Sequence, residues 1–247
     1  MKSVVCIPVY NQVGELPQVL DEIRSSDRLC DTILLVNNGS RDGSDKLIQE
    51  SGYPYLDLPR NRGIGYGLMT AVDWALENGY EIFGCMAGNA KMLPQEMGRL
   101  LGPILRDEAD YVTGSRFVPG GESPNLPLFR RAAIPLVNLL VRLLTGALVS
   151  DATCGYRAMR LSIFRAASFD WHARWLDTYS FEYYIYAKVV LDGRWRWTEV
   201  PVTMRYPRKG RYSKVKPFIG WYSVLKPWIV ARFDGGGFSR PEPEISQ

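Results

Sequence analysis

The order of apolar runs along this chain predicts an α/β fold, with one mostly parallel sheet carrying helices on both faces. Three observations point to it. Short runs rich in β-branched residues alternate with segments of helical period. The loops between them are short. The chain has 247 residues, 46% hydrophobic and 23% charged, which suits a globular domain with a generous core.

Residues 3–9 (SVVCIPV) read as a buried parallel strand broken at Pro8. Residues 13–25 set Leu16, Val19, Leu20 and Ile23 on one helical face. Residues 32–36 are a second buried strand, ended by Asn37-Asn38-Gly39-Ser40. Then follow a helical stretch at 42–50, a weak strand at 55–58, and a Gly-rich loop at 61–67. The helix at 65–77 turns Leu68, Ala71, Val72 and Ala75 inward. Strands are expected at 82–86 and 111–114, with a helix at 95–105 between them. Ligands of such sheets bind beyond the carboxyl ends of the strands, which nominates residues 37–42, 61–65 and 87–91.

After Gly121 the composition changes. Residues 126–149 are rich in Leu, Val and Ala but contain Arg130, Arg131, Pro135, Asn138 and Arg142. They lack the roughly 18 uncharged apolar residues of a spanning helix. Two helical segments are expected there, packed on the core or lying in a membrane interface. Residues 151–160 read as turns, 178–191 as a helix and 198–206 as a strand. Residues 214–233 mix Trp221, Tyr222 and Trp228 with Lys216, Lys226 and Arg232, a composition that also suits an interface. One domain is expected over 1–233, followed by a Gly- and Pro-rich disordered tail over 234–247.

A net charge of +4 is too mild to argue for nucleic acid. Between Arg194 and Lys216, however, eight basic residues face a single acid, Glu199, a local excess that favours phosphates. The four cysteines form no C-x-x-C pair, so neither zinc nor redox chemistry is suggested. Cys6 and Cys85 read as core thiols. The opening MKSVVCIPVYN is no signal peptide. The cytoplasm is therefore the default location, with a peripheral seat on the cytoplasmic face of a membrane as the variant.

Ile7-Pro8-Val9-Tyr10-Asn11 resembles the opening motif of family 2 glycosyltransferases, LLVNNGSRDGS at 34–44 resembles their VDDGSxDGT, and Asn61-Arg62-Gly63-Ile64-Gly65 resembles their NxGxG. GSRFVPGG at 114–121, DATCGYRAMR at 151–160 and EVPVTMRYPRKGRYSK at 199–214 resemble the dolichyl- or polyprenyl-phosphate mannose synthase branch. The resemblance spans about residues 3–230 in family order. It implies the GT-A fold: a Rossmann-like sheet with C-terminal acceptor-side helices, a nucleotide-sugar half over about 1–115 and an acceptor half over about 116–233. It implies a nucleoside-diphosphate sugar as donor, a polyprenyl phosphate as acceptor, inversion at the anomeric carbon, and Mg²⁺ or Mn²⁺ as the family's metal. Pro8, Tyr10, Asn11, Asn37, Asn38, Gly39, Asn61, Gly63, Gly65, Ala87, Gly88 and Asn89 are implied to enclose the nucleotide sugar, with Gly63 and Gly65 letting the backbone approach base or ribose.

The departures are as informative. Asn37 and Asn38 stand where relatives carry aspartates, and an amide can donate as well as accept. Ala87 and Asn89 replace the Asp-x-Asp carboxylates, and Lys91 stands at the usual Gln. A hard cation prefers anionic oxygen ligands, so reduced or absent metal dependence is expected. Lys91 is then expected to act on the diphosphate in the metal's place, with Arg208, Lys209 or Arg211 closing over it. Arg116 and one of Arg130 and Arg131 match arginines that the family sets near the lipid phosphate. Asp151, Asp177 and Glu182 are the candidate bases should the acceptor be a hydroxyl, with Asp177 read as structural first. His172, without a motif partner, reads as structural or exposed. Two alternatives stand beside the lipid-phosphate reading: transfer to a soluble hydroxyl acceptor, and a non-catalytic subunit that binds nucleotide sugars.

Overall fold

The computed structural model describes residues 1–27, 29–206 and 219–238. Its centre is one seven-stranded sheet of order β3-β2-β1-β4-β6-β5-β7. The strands are β1 (Ser3–Val9), β2 (Thr32–Asn37), β3 (Tyr55–Asp57), β4 (Ile82–Cys85), β5 (Tyr111–Ser115), β6 (Arg157–Arg160) and β7 (Trp197–Pro201). All run parallel except β6, which lies antiparallel between β4 and β5. The helices are α1 (Leu16–Arg24), α2 (Ser44–Gln49), α3 (Ile64–Glu77), α4 (Met97–Leu105), α5 (Leu128–Thr145), α6 (Ser162–Arg165), α7 (Ser180–Asp192) and α8 (Ile219–Phe233).

Side chains of a strand alternate between sheet faces, so a strand covered on both must be apolar throughout. β1 shows this directly. Val4 and Cys6 enter the core shared with α3, α7 and α8, whereas Val5, Ile7 and Val9 enter the core beneath α1 and α4. The parallel strands bring the segments after β1, β2, β4, β5 and β7 to one edge of the sheet.

Several expectations change. β1 continues through Pro8, because its pairing with β4 ends at Cys6↔Cys85 and the missing N–H interrupts no ladder on that side. β6 was read as turns, since its arginines mask a strand. Arg157 is buried there, its Nε and Nη1 donating to Tyr111 and to the carbonyls of Cys154 and Glu182 while Nη2 has no partner. Residues 128–145 form one helix, not two. Pro135 is exposed, and Ile134, Val137 and Val141 anchor the helix on the core on both sides of it. β7 stops at Pro201, and Thr203 and Met204 make only isolated bridges to Glu122 and Met92. The tail is packed as far as Phe238: Asp234 pairs with Lys188, and Phe238 is buried against Phe169 and Trp195. Residues 239–247 lie outside the described residues.

The glycines of the 61–65 loop serve a close approach, but not to a ligand. A Cβ on Gly65 would lie 2.0 Å from the Leu176 carbonyl oxygen, and one on Gly63 would lie 2.2 Å from that of Asp177. Asp177 itself holds the loop, accepting from Arg62 Nη2 at 2.9 Å and, through its carbonyl, from the Tyr66 N–H at 3.0 Å. It is structural, as its sequence context suggested. Gly65→Ala is expected to cost about 3 kcal/mol, at the upper end for overpacking because the obstacle is backbone. A urea titration checks this as a lowered midpoint with an unchanged slope.

Candidate functional site

At the carboxyl edge of the sheet, the nominated loops are tied to one another by side-chain amides. Asn37 Nδ2 donates to Asp57 at 2.7 Å, and its Oδ1 accepts from the Ser40 N–H at 2.9 Å. Asn38 Nδ2 donates to the Gly63 carbonyl at 2.9 Å. Asn11 Oδ1 accepts from the Arg41 N–H at 2.9 Å, and Asn61 Oδ1 from the Gly63 N–H at 2.7 Å. Gly39, at φ 70°, packs so tightly on Arg60 that a Cβ there would lie 2.6 Å from its carbonyl carbon. Asn37 and Asn38 are buried. Their hydrogen bonds join the ends of β2 and β3 to the 61–65 loop, a role that aspartates, having no N–H to give, could not fill in the same way. Tyr10 follows β1 and is half-buried.

Beyond β4, the Gly88 N–H reaches back to the Pro8 carbonyl at 3.4 Å. A Cβ on Gly88 would lie 2.9 Å from Gln12 Oε1 and 3.1 Å from a Val9 methyl, so the loop packs closely on the end of β1. Ala87 offers no side-chain oxygen, and Asn89 Oδ1 already accepts from the Lys91 N–H at 3.3 Å. The nearby carboxylate of Glu22 is taken bidentately by Arg205 at 2.8 and 2.9 Å. Among the described residues no group of three or more His, Cys, Asp or Glu could hold a metal ion. A divalent cation that needs six or more oxygens does not fit this donor set.

What the loop presents instead is positive charge. It turns at Ala90, whose φ of 54° is uncommon outside glycine, and is clamped from the other side by the Arg205 N–H on the Lys91 carbonyl at 2.8 Å. Lys91 Nζ lies 5.8 Å from the centroid of the Tyr206 ring, and Arg130 Cζ lies 5.9 Å from the same centroid. Burial pushes the Lys91 ammonium down to about 8, with the Arg130 charge acting in the same direction and Glu15 opposing. Arg130 Nε is buried without a hydrogen-bond partner. Of the two adjacent arginines, geometry selects Arg130. It shares the inward face of α5 with Ile134, Val137 and Val141, while Arg131 is exposed.

Three expected roles are corrected. Arg116 and Asp151 are 3% and 0% exposed and are each other's partners, Nε to Oδ2 at 2.7 Å and Nη2 to Oδ1 at 2.6 Å. Thr153, Tyr206 and Met204 take the other guanidinium donors. In this arrangement the Arg116 donors and both Asp151 oxygens are engaged within the protein. Glu199, which sequence reading left unassigned, holds this arrangement by accepting the backbone N–H groups of Ser150 and Asp151 at 2.9 to 3.1 Å. Glu182, at the start of α7, is directed at Cys85 and Gly155 and lines a small apolar cavity with Phe83 and Arg157. Burial pushes its carboxyl up and the Arg157 charge only partly opposes this. Arg208, Lys209 and Arg211 lie outside the described residues, and the chain enters that stretch from Tyr206. His172 is exposed beside Asp73. Tyr206 had no signal of its own in the sequence beyond its place at the head of the basic run.

Residues 4–167 match the family model described as glycosyl transferase family 2. The chain is 30% identical over 242 residues to an undecaprenyl-phosphate mannosyltransferase of Micrococcus luteus, covering 95% of this chain and 97% of that protein. It is 32% identical over 170 residues to a polyprenol monophosphomannose synthase of Mycolicibacterium smegmatis, covering 66% and 63% respectively. Among solved structures, glucosyl-3-phosphoglycerate synthase of Mycobacterium tuberculosis, in complex with Mn²⁺, UDP-glucose and phosphoglyceric acid, superposes with a TM-score of 0.67 at 18% identity. That match covers 94% of this chain and 79% of the other. At that identity the likeness carries the fold, GT-A, and nothing beyond it.

Lys91 gives the site a pH signature. The protonated ammonium attracts a phosphate and the neutral amine does not, so affinity is full below about 8 and declines as pH rises through it. Inorganic pyrophosphate binding, measured by calorimetry from pH 7 to 9.5 and expressed relative to Lys91→Arg, should fall with an inflection near 8. The arginine variant keeps its charge throughout, so the probe's own ionisation cancels in the ratio.

Proposed function

Because this chain is a member of glycosyl transferase family 2, a glycosyltransferase of the polyprenyl-phosphate-mannose-synthase-like kind, we propose that it moves a sugar from a nucleoside-diphosphate sugar onto a polyprenyl phosphate without a catalytic metal. The observation that carries this reading is the pair Lys91 and Arg130 converging on one ring beside the loop where the family's metal-binding carboxylates are replaced. In the reaction, an oxygen of the acceptor phosphate attacks the anomeric carbon as the bond from that carbon to the diphosphate breaks. The electron pair and negative charge pass to the leaving nucleoside diphosphate. Lys91 is placed to stabilise that charge as it grows, and Arg130 to hold a phosphate oxygen. The acceptor phosphate is already anionic at neutral pH, so the locked state of Asp151 is no obstacle. Attack from the face opposite the leaving group inverts the anomeric carbon.

The lipid acceptor has a matching surface. The outward face of α5 exposes Leu128 (81%), Leu136 (59%), Leu139 (52%) and Leu143 (74%), opposite its buried stripe. Arg131 and Arg142 are also exposed on α5, and neither α5 nor α8 contains an acid. Among the described residues no helix is long and apolar enough to cross a membrane. A helix of this kind lies in the interface, with apolar side chains among the acyl chains and arginines at anionic headgroups. The same helix carries Arg130 at its start, so a phosphate held there has its hydrocarbon beside the leucine face.

Two measurements test these readings. Purified protein, offered a panel of nucleoside-diphosphate sugars with a short polyprenyl phosphate, should turn over in excess chelator. Lys91→Ala should lower kcat by about two to three orders of magnitude, the scale of losing one transition-state charge contact. Turnover that requires Mg²⁺ or Mn²⁺, or that survives Lys91→Ala unchanged, would overturn the metal-free mechanism. Donor binding without any turnover would indicate a non-catalytic subunit. Separately, the protein should float with vesicles containing about 30% anionic lipid, and Leu136→Glu with Leu143→Glu should abolish flotation while leaving the melting temperature unchanged, because both side chains are solvent-exposed.

A further inference from the structure

We infer that Tyr206 is the positioning residue of a two-pronged phosphate clamp, its ring fixing the separation of Lys91 and Arg130. The inference rests on the proposed transfer only in assigning the phosphates to donor and acceptor. The clamp itself rests on geometry. Its prongs come from distant parts of the chain, Lys91 from the loop after β4 and Arg130 from the first turn of α5. They lie 5.8 and 5.9 Å from the same ring centroid, within the reach of a cation–π attraction.

The ring is itself immobilised. Its hydroxyl accepts from Arg116 Nη1 and donates to Met204 Sδ at 3.2 Å, and Arg116 is locked on the buried Asp151. Its backbone N–H donates to the Pro124 carbonyl at 3.1 Å, and its carbonyl accepts from Asn125 Nδ2 at 3.2 Å. Tyr206 is thus held at both ends, through its hydroxyl and through its backbone.

The choice of an aromatic ring has a chemical consequence. A carboxylate between two cations would hold them equally well but would neutralise them and compete with any phosphate. The ring attracts both through its quadrupole and carries no net charge. The ring therefore adds no negative charge beside the two cations, and the Nε–H of Arg130 is left without a hydrogen-bond partner. Two such prongs held at fixed spacing bind a phosphate without first having to be ordered. That is the service a metal ion performs for two phosphate oxygens, provided here by side chains alone.

The test compares Tyr206→Phe with Tyr206→Leu. Both lose the hydroxyl and its bond to Arg116, and only the second also loses the ring with its buried packing. Calorimetric binding of inorganic pyrophosphate reports on a donor-type phosphate and that of geranyl phosphate on an acceptor-type one. The Phe variant should stay within about threefold of the unaltered protein for both probes. The Leu variant, assayed well below its own melting temperature so that it is fully folded, should bind one or both about tenfold more weakly, the scale of losing two cation–π contacts. Loss for one probe alone identifies the phosphate that the ring serves. Equal binding by the two variants, or no binding of either probe by the unaltered protein, overturns the clamp. If the clamp behaves as expected and no sugar is transferred from any donor, the proposed transfer fails and the phosphate site stands.

Discussion

The carboxyl edge of this sheet is organised by one buried ion pair. Arg116 leaves the end of β5 and Asp151 follows α5, and each is withdrawn almost wholly from water. Two charges so placed lose several kcal/mol of hydration apiece, which is offset only when every donor and acceptor is met with good geometry. That demand recruits Thr153 ahead of β6, Tyr206 after β7, and Glu199 of β7 through the backbone of residues 150 and 151. Three stretches of chain, around residues 116, 150–153 and 199–206, are thereby tied together. The arginine is spent on partners inside the protein, one of them the hydroxyl of the Tyr206 ring near which Lys91 and Arg130 lie.

Seen from that pair, the loss of the metal-binding carboxylates has a structural counterpart. Two aspartates and a cation together are close to electrically balanced, whereas Ala87 and Asn89 bring no charge and Lys91 adds a positive one, which is the basis of the metal-free mechanism proposed above. Burial first, and the Arg130 charge second, push the Lys91 ammonium down, with Glu15 opposing. The loop geometry is consistent with this. Ala90 accepts a left-handed turn, and Arg205, braced on Glu22, holds the peptide that presents Lys91.

α5 joins the two chemistries. At its first turn the inward face carries Arg130 into the polar edge, and further along that face becomes Ile134, Val137 and Val141 of the core. Its opposite face stays apolar and open to solvent, an arrangement that in water exposes hydrocarbon with no compensating contact. Both faces repeat with the same helical period at different phase, so one stripe packs on the core while the other stays exposed.

The sequence alone determined the class of fold, since uninterrupted apolar runs such as 3–9 and 32–36 can be buried only in a sheet covered on both faces. It also determined the location of the site, because Asn37, Asn61 and Ala87 follow strands whose carboxyl ends a parallel sheet must bring together. The substitution of Lys91 into a site without carboxylates was legible as well, being a matter of residue type. What only tertiary structure decided was the pairing of residues far apart in the chain. Gly63 and Gly65 are glycines because of carbonyls at 176–178, both Asp151 oxygens are engaged because Arg116 meets them, and β6 is a strand because Arg157 finds partners on β5 and α7. Tyr206 gains its position only when residues 91, 116 and 130 surround it. Periodicity and composition report how a segment divides itself between core and solvent. They carry no record of which distant group will meet a given charge, and that meeting sets whether a charged side chain is structural or free to act.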